Sequence, residues 1–94
     1  MTILQIEHPV FDFEAWKAGF EGDPSLRAES RMQRYRILRP ADDPKYVIID
    51  CEFATTHDAR MYLDKIRARW KLAIGTIIDR PRARMALLVD MRTC

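Results

Sequence analysis

An α+β domain, with a four-stranded antiparallel sheet and two helices on one of its faces, is what this sequence predicts. Two patterns carry the prediction. Four stretches alternate apolar and polar residues with period two, and two others hold apolar residues at helical spacing, in the order strand, helix, strand, strand, helix, strand. The doubled strand-helix-strand plan implies two right-handed crossovers, which bring both helices to the same side of the sheet.

The first strand runs from Thr2 to Val10, with Leu4, Ile6 and His8 on one face and Ile3, Gln5 and Glu7 on the other. Asp12 is placed to cap the first helix, and Phe13, Trp16 and Phe20 set three aromatic rings on one stripe that must be buried. Gly22, Asp23 and Pro24 end this helix near Glu21, and Pro24 opens a short second turn through Arg27 to Ser30. Met32 to Arg39 alternates again, Tyr35 and Ile37 opposing Arg34, Arg36 and Leu38. The turn-forming run Ala41-Asp42-Asp43-Pro44 joins it, as a hairpin, to a strand from Tyr46 to Phe53 whose apolar face is Val47, Ile49, Cys51 and Phe53. The opposite face begins with Tyr46 and Ile48 and continues with Asp50 and Glu52, two acids in mid-strand that need partners.

Thr55 and Asp58 resemble a capping box for a long second helix that ends before Gly75, with Ala59, Leu63, Ile66, Trp70 and Ala73 on its core face. Its far side carries a weaker stripe of Met61, Lys65, Ala68 and Leu72, apolar enough to invite cover. The last strand is expected over Arg82 to Arg92, with Ala83, Met85, Leu87, Val89 and Met91 on one side and Ala86 and Leu88 on the other. The whole is a ferredoxin-like βαββαβ layout occupying residues 1–94 as a single domain.

Composition narrows the classes of function. With 48% hydrophobic and 32% charged residues the chain is globular rather than disordered. No apolar run approaches the ~20 residues of a membrane helix, and the chain opens directly on a strand pattern, so a cytoplasmic protein without a membrane partner is expected. A net charge of +2 is too slight to predict a nucleic-acid partner, and acids at Asp58, Asp64 and Asp79 dilute the basic residues between Arg67 and Arg84 into a solvated face. Cys51 and Cys94 lack the number and spacing of a disulfide framework or zinc site, and Cys51 reads as a small core residue. No glycine-rich phosphate loop, nucleophile elbow or metal-spaced histidine pair occurs, and no cofactor is expected.

The sheet face away from the helices carries Ile3, Ile48, Ala86 and Leu88 beside its charges, and a second copy packed sheet against sheet would cover it; a homodimer is expected. The order of elements, the Asp12-Phe13-Glu14-Ala15-Trp16-Lys17 stretch, the Tyr35-Arg36-Ile37-Leu38-Arg39 strand with its Ala41-Asp42-Asp43-Pro44 turn, and Tyr46 to Phe53 resemble the small bacterial proteins of the dimeric α+β barrel superfamily. The resemblance spans nearly the whole chain and marks the fold, not an activity. It implies company with cofactor-independent antibiotic-biosynthesis monooxygenases, polyketide cyclases and haem-degrading, dye-decolourising and chlorite-converting haem enzymes.

Alternation sets Gln5, Glu7, Arg34, Arg36, Asp50, Glu52 and Arg84 on the face that would line a barrel between subunits. Two readings stand side by side: an ion-pair ladder that fixes register or dimer, or a pocket for a polar ligand. In the second, Arg36 or Arg34 stabilises an enolate or phenolate while Glu7, Asp50 or His8 moves a proton. His8, at the end of its strand, is placed as a general base or an axial ligand, or is simply satisfied at the sheet edge. Tyr35 and Tyr46 can donate a phenolic proton to a carbonyl, and Gln5, Arg34, Glu52 and Arg84 would complete the binding surface. Trp16 and Trp70 read as core. The expectation is a cofactor-independent monooxygenase- or cyclase-like protein acting on a small, polyketide-type aromatic molecule. Its rivals are a non-catalytic ligand-binding or structural dimer and a haem-binding protein.

Overall fold

A computed structural model describes residues 1–94. Strands β1 (Thr2–Pro9), β2 (Arg34–Leu38), β3 (Tyr46–Phe53) and β4 (Arg82–Leu87) pair antiparallel in the order β2-β3-β1-β4. Helices α1 (Phe13–Glu21), α2 (Ser25–Glu29) and α3 (Thr56–Ala73) cover one face of that sheet. This is the ferredoxin-like α+β arrangement the element order predicts.

Local chemistry places each helix. The Asp12 carboxylate accepts the Ala15 N–H at 3.1 Å and the Thr55 hydroxyl accepts the Asp58 N–H at 3.1 Å, so both long helices start at capped ends. Gly75 follows α3 at φ +90°, a left-handed conformation that glycine adopts without Cβ strain, and the chain turns back there toward the sheet.

The core lies between sheet and helices. Leu4 and Ile6 of β1 and Val47, Ile49, Cys51 and Phe53 of β3 meet Trp16, Leu26, Ala59, Tyr62, Leu63 and Ile78 from the other layer. Cys51 is fully buried and its thiol is pushed up to about 12, by burial first and by Asp50 second, so it is an inert core residue. Helix α3 packs on β1 and β3. Helix α1 stands off from both, and its aromatic side chains fill the interval: the Trp16 and Phe20 rings stack at 5.3 Å, and Phe20 meets Tyr35 of β2 edge-on at 5.0 Å.

One expectation is corrected. Alternation continues to Arg92, but β4 ends at Leu87. Its sole neighbour is β1, and the bond from Leu88 N–H to the Met1 carbonyl at 3.1 Å is the last of the pairing. Beyond it the chain has no partner strand, and Val89 and Met91 are exposed. The far stripe of α3 likewise stays uncovered within the chain, Leu72 being 86% exposed.

Candidate functional site

The sheet face away from the helices is organised in three rows that follow the strand register. The first joins Arg34, Glu52, Ile3 and Ala86, with Arg34 Nε 2.8 Å from a Glu52 oxygen. The second joins Arg36, Asp50, Gln5 and Arg84 into one chain of hydrogen bonds across all four strands. Arg36 donates to Asp50 through Nε at 3.0 Å and pairs with it through Nη2 at 2.9 Å, Gln5 Nε2 donates to Asp50 at 3.4 Å, and Arg84 Nε donates to Gln5 Oε1 at 2.9 Å. The third row holds Leu38, Ile48, Glu7 and Arg82; Glu7 accepts the Tyr46 hydroxyl at 2.7 Å. The face therefore gathers Gln5, Glu7, Arg34, Arg36, Tyr46, Asp50, Glu52 and Arg84, with the acids on the inner strands and the arginines on the outer ones. Most of its polar groups are occupied with one another. A polar recess of about 210 Å³ remains beside Gln5, Glu7, Arg82 and Arg84.

Two of the sequence-predicted site residues are not on this face. His8 shares the core face with Leu4 and Ile6, is 1% exposed, and lies edge-on to the Trp16 ring at 5.8 Å with Nδ1 3.1 Å from the Pro9 carbonyl. Tyr35 pairs with Cys51 on the helix side and packs on Phe20. Period-two alternation decides both: a residue of even number on β1, or of odd number on β2, cannot reach a group formed by its immediate neighbours.

Burial lowers the pKa of His8, its hydrogen bond to the Pro9 carbonyl opposing the shift only in part. Below ~6.5 the unfolded chain takes up a proton that the folded chain refuses until its own lowered pKa is reached. Stability conferred by neutral, buried His8 is thus present above that unfolded value and lost as pH falls through the window beneath it, at no more than about 1.4 kcal/mol per pH unit. Urea unfolding across this range should show a slope in the natural protein that His8→Gln lacks; equal slopes would mean His8 is not held neutral by burial.

A different site opens on the helix side. Between α1 and α3, with Leu26 and Arg27 of α2 and the segment Ile77–Ile78 also in its lining, runs a groove of about 270 Å³ in which 10 of 14 lining residues are hydrophobic. Trp16 and Phe20 form one wall, Ile66, Trp70 and Ala73 the other. Gly19 leaves the α1 wall open, a Cβ there meeting nothing within 4 Å. The polar groups of the groove are few and convergent: the Tyr62 hydroxyl, the Arg27 and Arg69 guanidiniums and the Asp23 carboxylate.

Each is held differently. Tyr62 is 2% exposed and its hydroxyl makes no hydrogen bond within the protein, while burial raises its pKa and keeps the phenol protonated. Asp23 accepts the Ser25 hydroxyl at 2.6 Å and pairs with Arg69, and these two contacts, Ser25 first, hold its carboxyl below the ordinary carboxylate range. The Asp23–Arg69 pair joins the α1–α2 turn to α3 in the lining of the groove. Arg27 donates to the Phe20 carbonyl and lies over the Phe20 and Tyr35 rings at 4.7 and 5.1 Å.

Sequence reasoning missed this groove because aromatic residues at helical spacing read as core, which Trp16 partly is at 8% exposed. The available signal was breadth. Tyr62, Ile66, Arg69, Trp70 and Ala73 recur at i, i+4, i+7, i+8 and i+11, which widens the α3 stripe beyond what the sheet beneath can cover.

No family model matches the chain, and no curated protein does. Solved structures do. SnoaB, a cofactor-independent oxygenase from Streptomyces nogalater, superposes as a point variant with a TM-score of 0.75 over 96% of this chain and 94% of its own, at 11% identity. The fold they share with this chain is the ferredoxin-like α+β fold. A dimeric ferredoxin-like protein from an uncultured marine organism matches all of both chains at a TM-score of 0.68 and 7% identity. A point variant of MhuD with two manganese protoporphyrin IX groups bound per active site matches 99% of this chain and 100% of its own, at 0.71 and 9%. Such identities carry the ferredoxin-like fold across, and leave activity to be argued from the site.

Proposed function

We propose that the protein binds a planar aromatic small molecule of about two fused rings in the α1–α3 groove and acts on it as a cofactor-independent oxygenase or cyclase. The observation that supports this most is the contrast between the two faces. The sheet face satisfies most of its polar groups within its own ladder, whereas the groove leaves the Tyr62 hydroxyl unspent among aromatic walls. At about 270 Å³ the groove lies near the lower end of the ~300–1,000 Å³ typical of ligand cavities, a size that suits a small ring system.

The groove residues orient a substrate that is itself reactive. Trp16, Phe20 and Trp70 hold its rings, and the protonated Tyr62 phenol donates a hydrogen bond to an oxygen on which negative charge develops. No free base lines the groove, Asp23 being engaged by Arg69, so the substrate proton leaves to solvent. A haem does not fit. No histidine, cysteine or methionine lines the groove, and its oxygen donors are a phenol kept protonated by burial and a carboxylate already paired. The sheet face takes the part of the contact between two copies, with Ile3, Ile48 and Leu38 covered alongside the ladder, in line with the dimeric neighbour.

A rival reading, a ligand site on the sheet face, has two observations in its favour: Arg82 stands opposite Glu7 at the polar recess without an acid partner within 4 Å, and a shallow recess of about 590 Å³ opens beside Glu7, Tyr46 and Ile48. One set of variants separates the two. Oxygen uptake with a panel of phenolic two-ring and three-ring aromatics should exceed the uncatalysed rate in the natural protein, without added cofactor. It should fall about 10–100-fold in Tyr62→Phe and vanish in Gly19→Leu, which fills the groove without helix strain. Glu7→Gln should leave it unchanged. Loss in Glu7→Gln with retention in Gly19→Leu would move the site to the sheet face. Compounds that shift the Trp16 and Trp70 indole resonances but are never consumed would make the protein a binding module.

A further inference from the structure

Arg27 is a half-buried cation with no carboxylate oxygen within 4 Å, although it lines the groove beside Asp23. Asp23 lies four residues before it, the spacing at which a helical pair would form, yet that carboxylate is taken by Ser25 and Arg69. Arg27 is nevertheless fixed in place. One Nη donates to the Phe20 carbonyl, and the guanidinium is stacked against the Phe20 and Tyr35 rings at 4.7 and 5.1 Å, which leaves its other N–H groups undirected by any protein acceptor. A guanidinium drawn partly out of water without a counter-ion is unfavourable for a fold unless something supplies the negative charge. The lining as a whole agrees: two guanidiniums stand against one carboxylate, and the Tyr62 hydroxyl, held protonated by burial, adds no negative charge.

We infer that the groove selects aromatic acids: its ligand carries an anionic oxygen group, a carboxylate or an ionised phenol, which Arg27 receives at the α2 end while the rings lie between Trp16, Phe20 and Trp70. This rests on the groove being the ligand site and adds the charge of what enters it. The planar fork of Arg27 suits a carboxylate in two-point contact, and its aromatic backing removes the freedom that a surface arginine would lose on binding. Arg69 draws the anion toward the mouth, and its pairing with Asp23 leaves Arg27 as the cation free to hold it.

The test uses naphthalene-2-carboxylate and its uncharged analogue naphthalene-2-carboxamide, titrated into the full-length protein and followed at the Trp16 and Trp70 indole resonances. The carboxylate should bind about tenfold tighter than the amide, the worth of one charge-assisted contact. The ratio should collapse toward one in Arg27→Met and persist within a few-fold in Arg27→Lys, which keeps the charge. Equal affinities in the natural protein, which need no variant to fold, would overturn the inference, as would a preference that survives Arg27→Met. If neither probe moves an indole resonance, or if Gly19→Leu binds both as well as the natural protein does, the groove itself is wrong and this inference falls with it. Parity between probes that do bind sinks the anion preference alone.

Discussion

Phe53→Ala is expected to destabilise the fold by about 3–5 kcal/mol. Phe53 is fully buried at the end of β3, its ring 5.9 Å from that of Tyr62, so it joins the sheet to α3 behind a residue of the groove. Deleting the ring removes its transfer energy and leaves a cavity that two regular elements cannot close over. Domains of this size hold on the order of 5–15 kcal/mol, so about a fifth or more of the total stability is at stake. Thermal unfolding followed by circular dichroism should place the variant about 15 °C or more below the natural protein. A loss under about 1 kcal/mol would mean that α3 is not seated on this end of the sheet.

Arg36→Met is the second large effect, and it tests the ladder. The Asp50 side chain is only 10% exposed and takes both of its strong contacts from Arg36, whose own side chain is 71% exposed. Removing the arginine leaves a nearly buried carboxylate with Gln5 at 3.4 Å as its one remaining donor. The expected destabilisation is about 2 kcal/mol, below the ~3–5 of a fully enclosed pair because Asp50 retains an edge open to water. The reverse change, Asp50→Leu, strands a guanidinium that can turn into solvent and should be milder. Combining the two should recover most of the loss, since a packed apolar pair is close to neutral against the ion pair it replaces. Urea titrations of the four proteins give the coupling directly, and additive losses would show that the ladder is not one unit.

How far the sequence discloses this molecule depends on which property a period can express. Alternation has the right phase on all four strands, because Leu4, Ile6, Val47 and Ile49 leave no choice about which side is the core. It therefore predicts the company of Gln5, Arg36, Asp50 and Arg84, and the same rule places His8 and Tyr35 elsewhere. Alternation does not carry the length of the neighbouring strand, so the apolar rhythm from Leu87 to Met91 reads as strand where β1 has already ended. Nor does helical spacing separate an aromatic ring packed on both faces from one packed on a single face, which is the whole difference between a core and a groove at Trp70 and Ile66. Arg27 is the sharpest case. In the sequence it is one residue of a short turn four positions after Asp23, and only the contact of Asp23 with Arg69, 46 residues along the chain, leaves it without that carboxylate.

The placement of the four arginines on the outer strands also bears on how copies of this chain avoid one another. Order β2-β3-β1-β4 leaves two rows of backbone donors and acceptors unpaired, one along β2 and one along β4. Arg34 and Arg36 stand on the first, Arg82 and Arg84 on the second. Any approach that would extend the sheet strand by strand brings guanidinium against guanidinium before a hydrogen bond can form, while a face-to-face approach does not require it. Charges that look like a feature of the surface thus act as a rule of assembly, closing the sheet to open-ended growth while leaving its broad face free to meet a second copy.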